Sequence, residues 1–291
     1  MLADWINIIV QGVLLGGLYA LFAAGLSISF GVMRMINIAH GDMIIFASYA
    51  TIVGASYLKL PMVLTVVLVT LVLSVMGYAA QRLVFNRTLG SDLLRPLLLT
   101  FGLSIVIRES LQAAFSADVR SVNVGPMKTA TWDLGAQINV GVLPLVVMLV
   151  GLVSIAALQW LFARTRMGRA FRATSDDADT ASLMGVDRKH VYALAMVFGS
   201  AMVALAGAFL VMRTTVSPSD GPIRLIYAFE AVIIGGLGSL WGTVAGGVVL
   251  GVAQAIGARL DPGWGTLAGH LAFLAILWVR PQGLFPTTRD R

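Results

Sequence analysis

Apolar residues fill this chain in long runs, separated by short polar or glycine-rich intervals. A run of about 20 apolar residues is the length that crosses a bilayer as a helix. The pattern predicts helical segments over 6–30, 43–58, 61–84, 96–115, 140–162, 191–212 and 264–279. A further run over 226–257 is too long for one straight span and reads as two short segments, with Trp241 at the break. The fold class expected is all-α: a polytopic transmembrane helical bundle of about eight to nine membrane segments, including broken or short helices. Residues 1–291 are expected to form a single integral-membrane domain.

One interruption differs from the others. Residues 163–190 form the long polar run, with Arg164, Arg166, Arg169, Arg172, Arg188 and Lys189 and four of the fourteen acids. Arginines at the foot of a membrane helix are retained on the cytoplasmic side during insertion. Within the run, Ser175 or Asp176 is a candidate cap for a short helix, and Asp177 and Asp179 suit its positive end. Ala178 to Met184 would propagate the helix, and Gly185 would take the left-handed turn that ends it. Leu183 and Met184, beside the small Ala178, Thr180 and Ala181, make a knob suited to a groove on another protein. The competing reading is an ordinary solvated loop.

Composition narrows the class. The chain is 58% hydrophobic and 12% charged, whereas soluble domains run about 45–50% and about 25%. The formal charge of +6 is carried by seventeen Arg and three Lys against fourteen acids. In a membrane protein such an excess marks cytoplasmic edges rather than nucleic-acid binding. The basic tail with Arg289 and Arg291 is expected on the same side. There is no cysteine, so a disulfide framework, a thiolate metal site and a cysteine nucleophile are excluded. The N-terminus lacks the basic region and cleavage site of a secretory signal, so the first apolar run is expected to be retained.

Small residues at Gly12, Gly16, Ala20 and Ala24 fall on one helix face, and Gly238, Gly242 and Gly246 on another; both predict close helix packing. Arg108 and Glu109 are about 100° apart on their helix and need partners elsewhere. Counting spans from the basic loops places the N-terminus outside.

The chemistry of an enzyme is missing. No Gly-x-x-x-x-Gly-Lys-Ser/Thr loop is present, and Gly236-Leu-Gly238 lacks the wider spacing of a dinucleotide loop. His40, His190 and His270 have no ligand-spaced companions, so no metal or cofactor is expected. The break over 31–42 is a better candidate for function. A membrane helix that stops at depth hides its loose backbone groups in protein or against water, so such breaks line cavities. Asn37, His40, Gly41 and Asp42 are the candidate path residues there. Glu230, Gly235, Gly236 and Gly238 form a candidate facing wall. The alternative is a plain cytoplasmic loop.

Four stretches in order carry a resemblance: Gly17-Leu-Tyr-Ala through Asn37-Ile-Ala-His-Gly-Asp42; Thr165-Arg-Met-Gly-Arg169 through Gly185-Val; Ala228-Phe-Glu-Ala through Gly242; and Arg280-Pro-Gln-Gly-Leu-Phe285. Together they resemble the permease subunits of branched-chain amino acid ABC importers (the LivH/LivM type), with Trp241 a mild departure. The resemblance implies a permease of the bacterial inner membrane, working with a second, longer permease subunit, two cytoplasmic P-loop ATPase subunits and a periplasmic or surface-tethered binding protein. It implies a coupling role toward the ATPase for the stretch from Asp177 to Gly185. Family members also serve urea, short amides and other carboxylates. The alternative class is an ion- or proton-coupled secondary transporter, which also uses broken helices and buried charges. A passive small-solute channel is a third reading.

Overall fold

The structure is a computed structural model that describes residues 2–88, 94–133 and 139–285. Arg289 and Arg291, expected at the cytoplasmic face, lie outside the described residues. Eleven helices follow in order among the described residues: α1 (Leu2–Met33), α2 (His40–Ile52), α3 (Met62–Leu83), α4 (Leu94–Phe115), α5 (Val142–Arg164), α6 (Arg166–Asp176), α7 (Ala178–Leu183), α8 (Arg188–Arg213), α9 (Gly221–Gly235), α10 (Leu240–Leu260) and α11 (Trp264–Val279). Six of them are long and apolar enough to cross a membrane, and α11 is a shorter apolar helix. Helix α2 continues as a π-helical turn over Val53–Tyr57. A two-stranded antiparallel ribbon, Thr131–Asp133 with Asn139–Gly141, precedes α5. This is the all-α polytopic bundle the apolar runs predict.

Helix α1 is the axis of the bundle. Its 32 residues span about 48 Å, and Leu21, Phe22, Ala23 and Ala24 are fully buried. Helices α5, α8, α9 and α10 pack around it. The outer faces of α3, α4, α5 and α11 expose residues such as Val75, Leu98, Val153 and Trp278, as suits a surface meeting lipid or another subunit.

The small-residue face of α1 meets α10. A Cβ at Gly12 would lie 2.7 Å from the Val252 Cα, and one at Gly16 would lie 2.5 Å from the Val248 Cα. From the other side, a Cβ at Gly247 would lie 2.6 Å from the Gly16 carbonyl oxygen. The two backbones therefore touch with nothing between them. A second small face of α10, including Gly242 and Gly246, meets Gly235 and Ala231 of α9. In a bilayer, where expelling water gives no drive, such contact is a main source of helix association.

Two breaks interrupt the bundle. After α1 the chain turns at Arg34, which adopts a left-handed φ of 49°, and runs back to start α2 at His40. His40 lies beside Phe22 in the middle of α1, so α2 begins at depth. The second break separates α9 from α10. It lies at 236–239, not at Trp241: Gly236 and Gly238 have φ of 103° and 81°, and Ser239 caps α10 by accepting from the Gly242 N–H. Trp241 sits in the first turn of α10, half exposed. An aromatic residue does not end a helix; a pair of left-handed glycines does.

The α1–α10 contact yields a direct comparison. Gly16→Val forces a side chain into backbone and should destabilise the protein by about 3 kcal/mol or more. Gly102 of α4 has no atom within 4 Å of its would-be Cβ, so Gly102→Val should change stability by less than about 0.5 kcal/mol. Thermal unfolding in detergent measures both, and a wild-type midpoint for Gly16→Val would refute the packing account.

Candidate functional site

The entry of α2 is assembled from four helices. His40 is buried, and its Nε2 lies 2.7 Å from the Phe22 carbonyl oxygen. A carbonyl only accepts, so Nε2 carries the proton. Asn37 is buried, with Nδ2 3.8 Å from the Met43 sulfur and Oδ1 without a partner. The Ile38 N–H is taken by the Thr100 hydroxyl of α4 at 3.2 Å. Gly41 lies against α9, where a Cβ would come within 2.8 Å of the Leu225 nitrogen. Asp42 accepts from Ser104 Oγ at 2.5 Å and faces Arg108 Nε at 3.4 Å. Arg108 thus has its partner on α2, whereas Glu109 points to the exposed side. The predicted path residues 37–42 are closed in by protein in this arrangement.

Glu230 is not with them. It stands nine residues after Gly221, which touches Asp42, and nine positions place it about 180° around α9. There it meets α11, where its Oε1 hydrogen-bonds His270 Nδ1. One turn earlier on α9, Tyr227 lies 3.5 Å from the Thr266 hydroxyl of α11. Tyr227 also stacks on Tyr19 of α1, with centroids 5.2 Å apart, and the Tyr19 hydroxyl donates to Gln254 Oε1 of α10 at 2.5 Å. A polar seam therefore runs between α1, α9, α10 and α11. Sequence reasoning found Glu230 but set His270 aside because no ligand-spaced neighbour accompanies it.

Gly235, Gly236 and Gly238 form the turn at the arginine-rich end. Gly238 packs on Gly31 of α1, where a Cβ would lie 3.1 Å from its Cα. The Arg280-Pro-Gln-Gly-Leu-Phe285 stretch folds back onto this turn. Leu284 and Phe285 donate their N–H groups to the carbonyls of Ile234 and Gly235, at 2.8 and 2.9 Å. Gly283, at φ 78°, allows the approach.

The polar run of 163–190 holds two helices where one was expected. Thr165 caps α6 by accepting from the Gly168 N–H. The cap of α7 is Asp177, not Ser175 or Asp176: its carboxylate accepts from the Asp179 and Thr180 N–H groups and from the Thr180 hydroxyl at 2.6 Å. The Thr180 hydroxyl above all, with these amides, holds the Asp177 carboxyl below the usual carboxylate range. A depressed acid stabilises the helix above its unfolded value and loses that contribution as pH falls through the folded one, so the cap is intact at neutral pH. Asp179 pairs with Arg188 at 2.8 Å. Gly185 ends α7 at φ 87°, while Ala181 is buried and Ala178 begins the helix. Leu183 and Met184 are 88% and 82% exposed. Ser175 serves instead as a tie: its hydroxyl donates to the Gly31 carbonyl at 2.5 Å, and Arg34 donates to the Ser175 carbonyl at 3.1 Å.

Comparison with known proteins matches this architecture. The family model for the permease component of branched-chain amino acid transport systems matches residues 8–276. The chain belongs to that family. The permease is 30% identical over 291 aligned residues to the high-affinity branched-chain amino acid transport permease BraD of Pseudomonas aeruginosa, covering 95% of this chain and 94% of that one. It is 29% identical over 288 residues to LivH of Escherichia coli, covering 94% and 93%. Among solved structures, PsaBC from Streptococcus pneumoniae in complex with Fab has the same fold, with a TM-score of 0.53 over 97% of both chains at 14% identity. The permease is a multi-pass protein of the plasma membrane.

The Asp42–Arg108 pair of this permease is testable by a double-mutant cycle. Asp42→Ala and Arg108→Ala should each lower thermal stability, and the double variant should cost less than the sum by about 1–3 kcal/mol. Additive losses would show that the two groups do not act on each other.

Proposed function

We propose that this permease is the membrane-spanning subunit of an ATP-binding-cassette importer for branched-chain or related amino acids, receiving solute from an extracytoplasmic binding protein. Two cytoplasmic P-loop ATPases supply the energy, and a second permease subunit completes the pore. The chain has no phosphate-binding loop of its own.

The observation that carries the reading is the α7 knob. Leu183 and Met184 are almost fully exposed, yet the element that presents them is clamped at both ends by Asp177 and Gly185. Exposed apolar side chains on a rigid polar element suit a groove on a partner protein. The tie from Ser175 and Arg34 joins the preceding helix α6 to the end of α1, so a push on α7 passes through α6 to the central helix. Asp177, Ala178, Asp179 and Ala181 position the knob, and Gly185 sets its exit. The transport route is assigned to the inner face of the bundle near Glu230. In this scheme Asn37, His40, Gly41 and Asp42 brace the start of α2, with Gly235, Gly236 and Gly238 shaping the turn below.

Gly185→Val places a β-branched residue at a left-handed φ, which such residues resist. It should leave the protein inserted at normal levels while import by the reconstituted complex falls at least about tenfold, because a coupling element displaced by about 1 Å can lose that much. Import at the wild-type rate would overturn the coupling role. The isolated chain in vesicles should neither hydrolyse ATP nor concentrate solute. Proton-driven uptake by that isolated chain would favour a secondary transporter, with the Glu230–His270 pair as its natural proton site.

A further inference from the structure

The seam between α9 and α11 holds more polar chemistry than helix packing needs. Tyr19 is partnered by Gln254 and Tyr227 by Thr266, so the seam is ordered. Glu230 is only 4% exposed; one carboxylate oxygen is bound by His270, and Oε2 has no partner. The Gln254 amide nitrogen is likewise buried and without a partner. An acceptor with a formal charge and a donor are thus left open in one apolar bundle, where an unmet polar group is costly. The His270 side chain is 37% exposed, on a face of α11 that otherwise shows Leu267, Leu271 and Leu274. It is the exposed edge of the pair.

We propose that the Glu230 carboxylate, oriented by His270, is a station that accepts the α-ammonium group of the transported amino acid. The assignment rests on the amino-acid permease reading above. Glu230 Oε2 is an acceptor aimed at a missing donor, and a primary ammonium supplies three. Complementary charge lies further along α9, with Arg224 about 120° around the helix from Glu230. Arg224, Tyr227 and Glu230 recur every third residue, about 4.5 Å apart along the axis. Arg224 Nη2 pairs with Asp220 Oδ2 at 3.5 Å, while its Nε and the Arg213 Nη1 are buried without partners. A zwitterion passing this seam meets open guanidinium N–H groups of Arg213 and Arg224 suited to its carboxylate and one carboxylate suited to its ammonium.

The absence of native cysteine permits a readout that does not depend on transport. In the assembled complex in proteoliposomes, the His270→Cys thiol should react with a small cationic thiosulfonate about tenfold faster than with an anionic one, after correction for their rates with a free thiol. Adding Glu230→Gln should bring that ratio to near one. No reaction at position 270, or a cation preference that survives Glu230→Gln, overturns the station.

A second arm separates recognition from simple bracing. A buried pair that only ties two helices tolerates replacement by apolar residues of similar volume. Glu230→Leu/His270→Leu should therefore keep normal membrane levels and thermal stability but lose import at least about tenfold, since a site built for a charged group discards its solute when that group is removed. Import at the wild-type rate by this double variant refutes the proposal. A wild-type complex that imports no amino acid would instead sink the functional reading, leaving the charge preference at position 270 to be judged separately.

Discussion

A helix that ends inside a bilayer leaves amides and carbonyls with no water to bond, and the rest of this structure is arranged around meeting that demand. Each unmet group in hydrocarbon costs several kcal/mol, so a break survives only where other parts of the chain supply partners. At the first break, Thr100 of α4 takes the Ile38 amide and the Asn37 carbonyl accepts from His40. At the second, Leu284 and Phe285 reach back from beyond α11 to the carbonyls of Ile234 and Gly235, while Ser239 supplies the cap of α10. The two breaks are thereby tied to segments far away in sequence.

Such closure requires that backbones approach each other, and the glycines provide it. The α1–α10 and α9–α10 contacts are so close that a methyl group on Gly16 or Gly246 would meet main-chain atoms. With α1 and α9 both held on α10, the turn at Gly236 and Gly238 comes to rest on Gly31. Gly31 is also the residue whose carbonyl receives Ser175. One small region at the end of α1 therefore touches the α9–α10 turn and the polar helix α6.

Much of the fold was legible from hydrophobic runs. The segment expected over 61–84 is α3 at Met62–Leu83, and that over 96–115 is α4 at Leu94–Phe115, because lipid exposure makes length and polarity the deciding variables. The finer breaks were less readable. Ser, Thr and Asp serve equally as caps or as last-turn residues, so nothing local distinguished Asp177 from Ser175, or revealed that Thr165 would start a separate helix. Trp241 was misplaced because the run of glycines has no single breaker by composition; positive φ chose Gly236 and Gly238. Polar partners were the least legible. Asp42 and Arg108 are 66 positions apart, Glu230 and His270 are 40 apart, and each pairing depends on helix rotation that no local spacing encodes.

The two buried acids differ in how fully their carboxylates are met by the chain. Asp42 uses both carboxylate oxygens, one for Ser104 and one for Arg108, and lies at the start of a helix whose position it fixes. Glu230 uses one. A group that serves only to hold helices together gains from meeting every valence, since each open one weakens the bundle. A group that must release what it binds cannot have all of its valences met by its own chain. Asp42 thus ties α2 to α4 through both oxygens, whereas Glu230 leaves one oxygen without a partner beside α11.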